Sequence, residues 1–225
     1  PDGPPIRDGL PYSRIAHLAE SVTPFVAIAN VLRDAGFPAP RIPAADLEAV
    51  MELAGWTNDR LLPERLQRLP RAEWVYGRPN ASIVMAAFMH VAPTGSRFNG
   101  PELGAWYAAG DLRTAVAEVG HHLRREAVAS RKRELRRTYR EYTARLDGDF
   151  LDMRPERASH PELYAPDSYA ASQPFGERAR RAGETGILFG SVRRAGGDNV
   201  AAYRPSRILD VTQAGHFEIV VWPDR

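Results

Sequence analysis

Four short apolar segments crowd the carboxyl-terminal part of the chain: "GILFGSVR", "NVAAYRP", "RILDVT" and "HFEIVVW". Each has strand length, and Gly, Pro or Asp residues punctuate the stretches between them. Ahead of them, "DLRTAVAEVGHHLRREAVAS" opens on a capping aspartate, Asp111, and carries apolar residues at helical spacing. Further upstream "WVYG", "SIVMAAFMHV" and "LGAWYAAG" read as more strands. Strands therefore lie on both sides of a helix, without the regular βα alternation that builds a doubly wound sheet. The expected fold is α+β, a mixed β core flanked by helices.

Before Trp74 the pattern differs. "PDGPPIRDGLPY" (1–12) is a proline-rich irregular arm. "SRIAHLAESVTPFVAIANVLRDAG" has helical spacing, with Pro24 as a breaker and Gly36 as a stop. "FPAPRIPA" reads as a joint and "AADLEAVMELAG" as a short helix. These patterns divide the chain into an arm and helical segment over 1–72 and the main domain over 73–225. Within that domain, 151–181 reads as a long loop with short helical turns. With 225 residues and 44% hydrophobic content, a sizeable core and an appendage both fit.

Several chemistries are excluded at once. There is no cysteine, hence no disulfide, thiolate metal site or cysteine nucleophile. Lys132 is the sole lysine, which argues against Schiff-base chemistry. Neither a glycine-rich dinucleotide fingerprint nor a P-loop occurs. The longest apolar run, "SIVMAAFMHVA", falls short of the roughly eighteen residues of a membrane helix, so a soluble, cytoplasmic protein is expected.

"SRFNGPELGAWYAAGDLRTAVAEV" spaces Arg97, Tyr107 and Glu118 among small and apolar neighbours. Taken singly, Arg97 reads as a loop clamp, Tyr107 as a core residue and Glu118 as a helix-surface carboxylate pairing with Arg113 or His122. As a set, "GSRFNG", "GAWYAA", "RTAVAEV", "GILFGSVRRAGG" and "VAAYRP" resemble the RES-domain family, the toxin halves of bacterial toxin–antitoxin modules, named for arginine, glutamate and serine. The serine is Ser191, and the resemblance covers about residues 74 to 222. It implies an ADP-ribosyltransferase-like fold that consumes NAD. Water or phosphate takes the ADP-ribose in some members and a protein does in others, with a protein acceptor slightly favoured here. It also implies a cognate antitoxin that blocks the cleft. Upstream of "SRF" the chain departs from shorter members, and Arg78 stands in for their additional NAD-site arginine.

The chemistry fits that resemblance. Cleaving the nicotinamide–ribose bond builds positive charge on the sugar, which a carboxylate stabilises, and Glu118 is the candidate. A guanidinium binds pyrophosphate in bidentate fashion, and Arg97 is the candidate. Tyr107 can stack on nicotinamide or ribose, and Ser191 can hydrogen-bond a ribose hydroxyl or the amide. No metal is expected, since the adjacent His121 and His122 point apart on a helix. A competing signal is "RREAVASRKRELRRTYREYTARL" (124–146), read as a basic helix although its helix or strand state beyond 130 is open. It suggests a nucleic-acid surface, an acidic partner's docking face, or a solvated helix with local ion pairs.

Overall fold

The computed structural model describes residues 63–223 and, as backbone only, 15–20. The arm at 1–12, the joint "FPAPRIPA" and the helix "AADLEAVMELAG" lie outside the described residues. The strands are β1 (Ile15–Glu20), β2 (Trp106–Ala109), β3 (Leu135–Leu146), β4 (Leu151–Asp152), β5 (Gly186–Gly190), β6 (Asp198–Ala202) and β7 (Ile208–Val221). They form one sheet in the order β4-β5-β6-β2-β1-β3-β7. The β4–β5 pair is parallel and every other neighbour is antiparallel. The α-helices of the described residues are α1 (Pro63–Gln67), α2 (Ala81–Met89), α3 (Leu112–Ala129) and α4 (Ser172–Ala182), with four short 3-10 turns between elements. The fold is α+β.

Strand periodicity separates the two faces. On one, Trp106 and Ala108 of β2, Tyr142 and Ala144 of β3, Leu188 of β5 and Val200 of β6 pack with Val84 and Phe88 of α2. On the other, Ile187, Phe189, Ala201 and Tyr203 pack with Phe98, Leu163 and Ala179 of α4. Farther along that second face Leu135, Tyr139, Ile219 and Val221 meet Leu123 and Ala127 of α3. Complete burial of a side chain such as Phe88 or Ile187 contributes about 1.5–3 kcal/mol.

The structure corrects several local expectations. "SIVMAAFMHV" is helix α2 rather than a strand, and "WVYG" forms no strand. A short run apolar on all sides does not declare its period. At Gly104, on the way into β2, the chain passes so close to α2 that a Cβ would collide with the Ala87 carbonyl. Helix α4 emerges from the supposed long loop despite Pro174 and Gly176. Pro174 lies in the first turn, where backbone N–H groups have no helical partner. A Cβ at Gly176 would strike the Phe98 carbonyl.

The basic stretch 124–146 is not one helix. It is helical to Ala129 and becomes strand β3 at Leu135. The break is a Schellman cap, with Lys132 N–H donating to the Ala127 carbonyl (3.0 Å) and Arg131 N–H to that of Val128 (3.1 Å). Arg131 takes the left-handed conformation (φ 52°) that glycine normally supplies, so the usual signal is missing. Part of the charge is paired locally, Arg137 with Glu126 (2.8 Å) and Arg136 with Glu218 (3.1 Å).

"RILDVT" and "HFEIVVW" join as the single strand β7, with Asp210 at φ 52° and register shifts against β3 absorbing the irregular middle. At the other end of the chain, Ile15–Glu20, where the spacing predicts helix, is strand β1. It pairs with β3 over six positions and touches β2 at Ala16–Ala109.

Candidate active site

The cleft opens on the second face, where α3 crosses the row Phe189, Asn199 and Ala109, residues paired across β5, β6 and β2. Its volume is about 250 Å³, and its walls include Arg97, Tyr107, Glu118, His122 and Tyr169. Ala108, Ala109 and Ala115 line it as well. Their short side chains are what leave room for a ligand.

Arg97 projects from the turn "GSRFNG", closed by Ser96 N–H donating to the Asn99 carbonyl (2.9 Å). Gly95 sits at φ 70°, and a Cβ there would strike the Asn99 carbonyl. The Tyr107 hydroxyl accepts from Phe98 N–H (2.9 Å) and donates to Asn99 Oδ1 (2.8 Å). Just past the end of β6, Tyr203 donates its hydroxyl to the Phe98 carbonyl (2.9 Å). Burial pushes the Tyr107 phenol well above its ordinary value, so it stays protonated. Tyr107 therefore presents its ring to the cleft while its hydroxyl fixes the arginine turn.

The Arg97 side chain is 8% exposed. Its Nη1 donates to the carbonyls of Leu163 and Ala165 (3.0 Å each), and its guanidinium lies 5.0 Å from the centre of the Tyr169 ring. Burial lowers its pKa, but a guanidinium starts so high that it remains a cation. Arg97 is thus a clamp on the 163–169 segment and a buried positive charge at the cleft wall.

Glu118 faces it from α3, whose first turn Asp111 caps through Thr114 N–H (3.0 Å). One carboxylate oxygen, Oε1, accepts from the Ser191 hydroxyl (2.7 Å) and from Asn199 Nδ2 (2.7 Å). Ser191 follows β5 in a tight turn, and its Oγ already accepts from Arg193 N–H (3.1 Å) and Arg194 N–H (2.9 Å). A hydroxyl has one hydrogen to give, and this one goes to Glu118. Among the described residues Oε2 has no hydrogen-bond partner. Two donors thus pin one oxygen and leave the other for a ligand.

Arg97, Tyr107 and Glu118 come together, with Ser191 directly behind Glu118. Ser191 is 2% exposed and is not part of the cleft wall; its hydroxyl addresses the carboxylate instead of open space. Arg78 is not in the cleft. Its Nη2 donates to the carbonyls of Ile208 (2.7 Å) and Pro205 (3.3 Å), where it ties the approach to α2 to the start of β7. Asn199 and Tyr169 were missed from the sequence. Asn199 offers a signal, a polar side chain in the otherwise apolar "NVAAY" and only 6% exposed. Tyr169, in an irregular segment, offers none. The sequence alone offers His122 as a partner for Glu118 or a metal ligand; the structure places it in the cleft wall.

The described residues define an α+β domain whose cleft sets one anchored carboxylate against one buried guanidinium. Residues 65–222 match the RES domain, and the chain belongs to that family. Among solved structures it is similar to a chain of the M. tuberculosis MbcT–MbcA toxin–antitoxin complex. The TM-score is 0.41 and the identity 20%, over 56% of this chain and 73% of that one. Comparison with curated proteins gave no match. Among the described residues no helix is long and apolar enough to cross a membrane.

Proposed function

We propose that the cleft binds NAD and breaks its nicotinamide–ribose bond, transferring ADP-ribose to an acceptor, and that the chain acts as the toxin of a toxin–antitoxin module. The observation that carries this reading is the anchored Glu118 carboxylate across a small cleft from Arg97. As the bond breaks, the ribose becomes cationic, and a preorganised carboxylate stabilises that charge without having to reorient. A site of about 250 Å³ suits the nicotinamide–ribose half, with the pyrophosphate directed to the Arg97 cation. The Tyr107 ring offers a flat apolar wall for the base or sugar. A neutralising antitoxin that covers this cleft is the expected partner.

A protein is the favoured acceptor, with water or phosphate the alternative. Arg124, Arg125, Arg131, Lys132 and Arg133 remain exposed beside the cleft-forming helix and offer docking surface. Incubation with adenine-labelled NAD and lysate separates the cases: label on protein supports transfer, and label only in free ADP-ribose species supports degradation. Unchanged NAD with no nicotinamide released would refute the reading.

Ser191 and Asn199 give a second test. Ser191→Ala or Asn199→Ala removes one of two donors to Glu118, each worth about 1.5–3 kcal/mol when the acceptor is charged. Each variant should lose about tenfold or more in NAD turnover with little change in affinity for a non-cleavable analogue. The double variant should lose less than the product of the two, because both act on the same oxygen.

A further inference from the structure

His122 lines the same cleft as Glu118 and lies four residues farther along α3, one turn on. Glu118 is half-buried, whereas His122 is exposed, at the mouth where an acceptor would enter. Among the described residues neither ring nitrogen has a hydrogen-bond partner, and the ring's aromatic contact is His121, edge-on at 5.5 Å. The groups facing it are Glu118, His121 and Arg125 on α3, Arg193 from the turn after β5, and Arg97 from the turn before β2. Partial desolvation against the cleft lowers its pKa, Glu118 opposes this, and the three arginines add to it. The imidazole is therefore neutral at neutral pH, with a lone pair available at the mouth of the site.

We propose that His122 is the base that takes the proton from the attacking acceptor, an assignment that rests on the NAD-cleaving reading above. The glycosidic C–N bond breaks and its electron pair leaves on neutral nicotinamide. Glu118 stabilises the cationic sugar carbon. An acceptor oxygen gives that carbon a lone pair, forming the new C–O bond, and its O–H proton passes to a ring nitrogen of His122. The resulting imidazolium returns the proton to solvent through its exposed edge. Glu118 cannot serve both ends, since Oε1 is occupied by two donors and Oε2 is needed beside the sugar. The assignment also narrows the acceptor: a neutral O–H group, in water or a protein hydroxyl, needs such a base, whereas an anionic phosphate does not.

The test compares the full chain with His122→Asn, and with His122→Gln as a second variant, in net NAD consumption and in exchange of labelled nicotinamide into NAD. Bond breaking and its reversal do not need the acceptor's proton removed, so exchange should persist. Net consumption should fall by about tenfold to a hundredfold, the ratio of exchange to net consumption should rise, and added imidazole should restore part of the loss. The wild-type acid limb, placed below the ordinary histidine range, should disappear in both variants. Unchanged ratio and unchanged acid limb in an active, folded variant would overturn the His122 assignment alone. A wild-type chain that neither releases nor exchanges nicotinamide would overturn the NAD reading and this assignment with it.

Discussion

Glu118→Gln should slow NAD turnover by a few hundred-fold, roughly 3–4 kcal/mol in the barrier, while the melting temperature stays nearly constant. Glutamine has almost the same shape, and its side-chain oxygen can still accept from the Ser191 hydroxyl and Asn199 Nδ2, the two donors now on Oε1. What changes is the atom facing the ligand, where a negative oxygen becomes an amide nitrogen carrying two hydrogens. The substitution therefore removes the charge and keeps the anchor. Turnover by purified variant, with affinity for a non-cleavable NAD analogue measured beside it, isolates the electrostatic contribution. Near-normal turnover would mean that the sugar cation is stabilised by something other than this carboxylate.

Arg97→Lys should weaken binding of the same analogue by about tenfold or more and also lower the melting temperature. In the wild type Nη1 serves two carbonyls, those of Leu163 and Ala165, while the planar group stacks at 5.0 Å over Tyr169. An ammonium offers one compact charge and no plane. It can keep the carbonyls or address a pyrophosphate, but a single point does not do both. A buried carbonyl left without its donor costs about 1–3 kcal/mol, and that loss appears as thermal stability. Calorimetry separates the two effects. Equal affinity in both forms, with only the melting point shifted, would make Arg97 a structural clamp and nothing more.

What was legible in the sequence was which residues gather at the cleft more than how they are bonded there. The spacing of Arg97, Tyr107 and Glu118 brought three residues to one cleft because β2 and the first turns of α3 follow each other through a single capped corner at Asp111. Ser191 was found as a member of the set, but its bonding was not. Which partner a hydroxyl chooses depends on the turn that fills its lone pairs, here two N–H groups from Arg193 and Arg194. Arg78 shows the opposite failure. A surplus arginine near the right place in the sequence was drawn to two backbone carbonyls on the α2 side of the molecule. The α+β class followed from the order of segments, whereas α2 stands where a strand is expected and the helix state of the basic stretch, open beyond residue 130, ends before β3. An all-apolar run has no visible period, and a helix stop built on Arg131 carries no glycine to announce it.

Strand β1 has a consequence for where this protein can be cut. The family match begins at residue 65, and every wall of the cleft lies beyond that point. Yet Ile15–Glu20 is the strand between β2, which carries Tyr107, and β3. Without it the ladder splits into a four-strand half bearing the donors to Glu118 and a two-strand half, each with a freshly bared edge of unpaired peptide groups. A fragment trimmed to the recognisable homology would keep every side chain of the cleft wall and lose the strand that joins its halves. The smallest piece that carries the family match is therefore not the smallest piece that keeps the seven-strand sheet continuous.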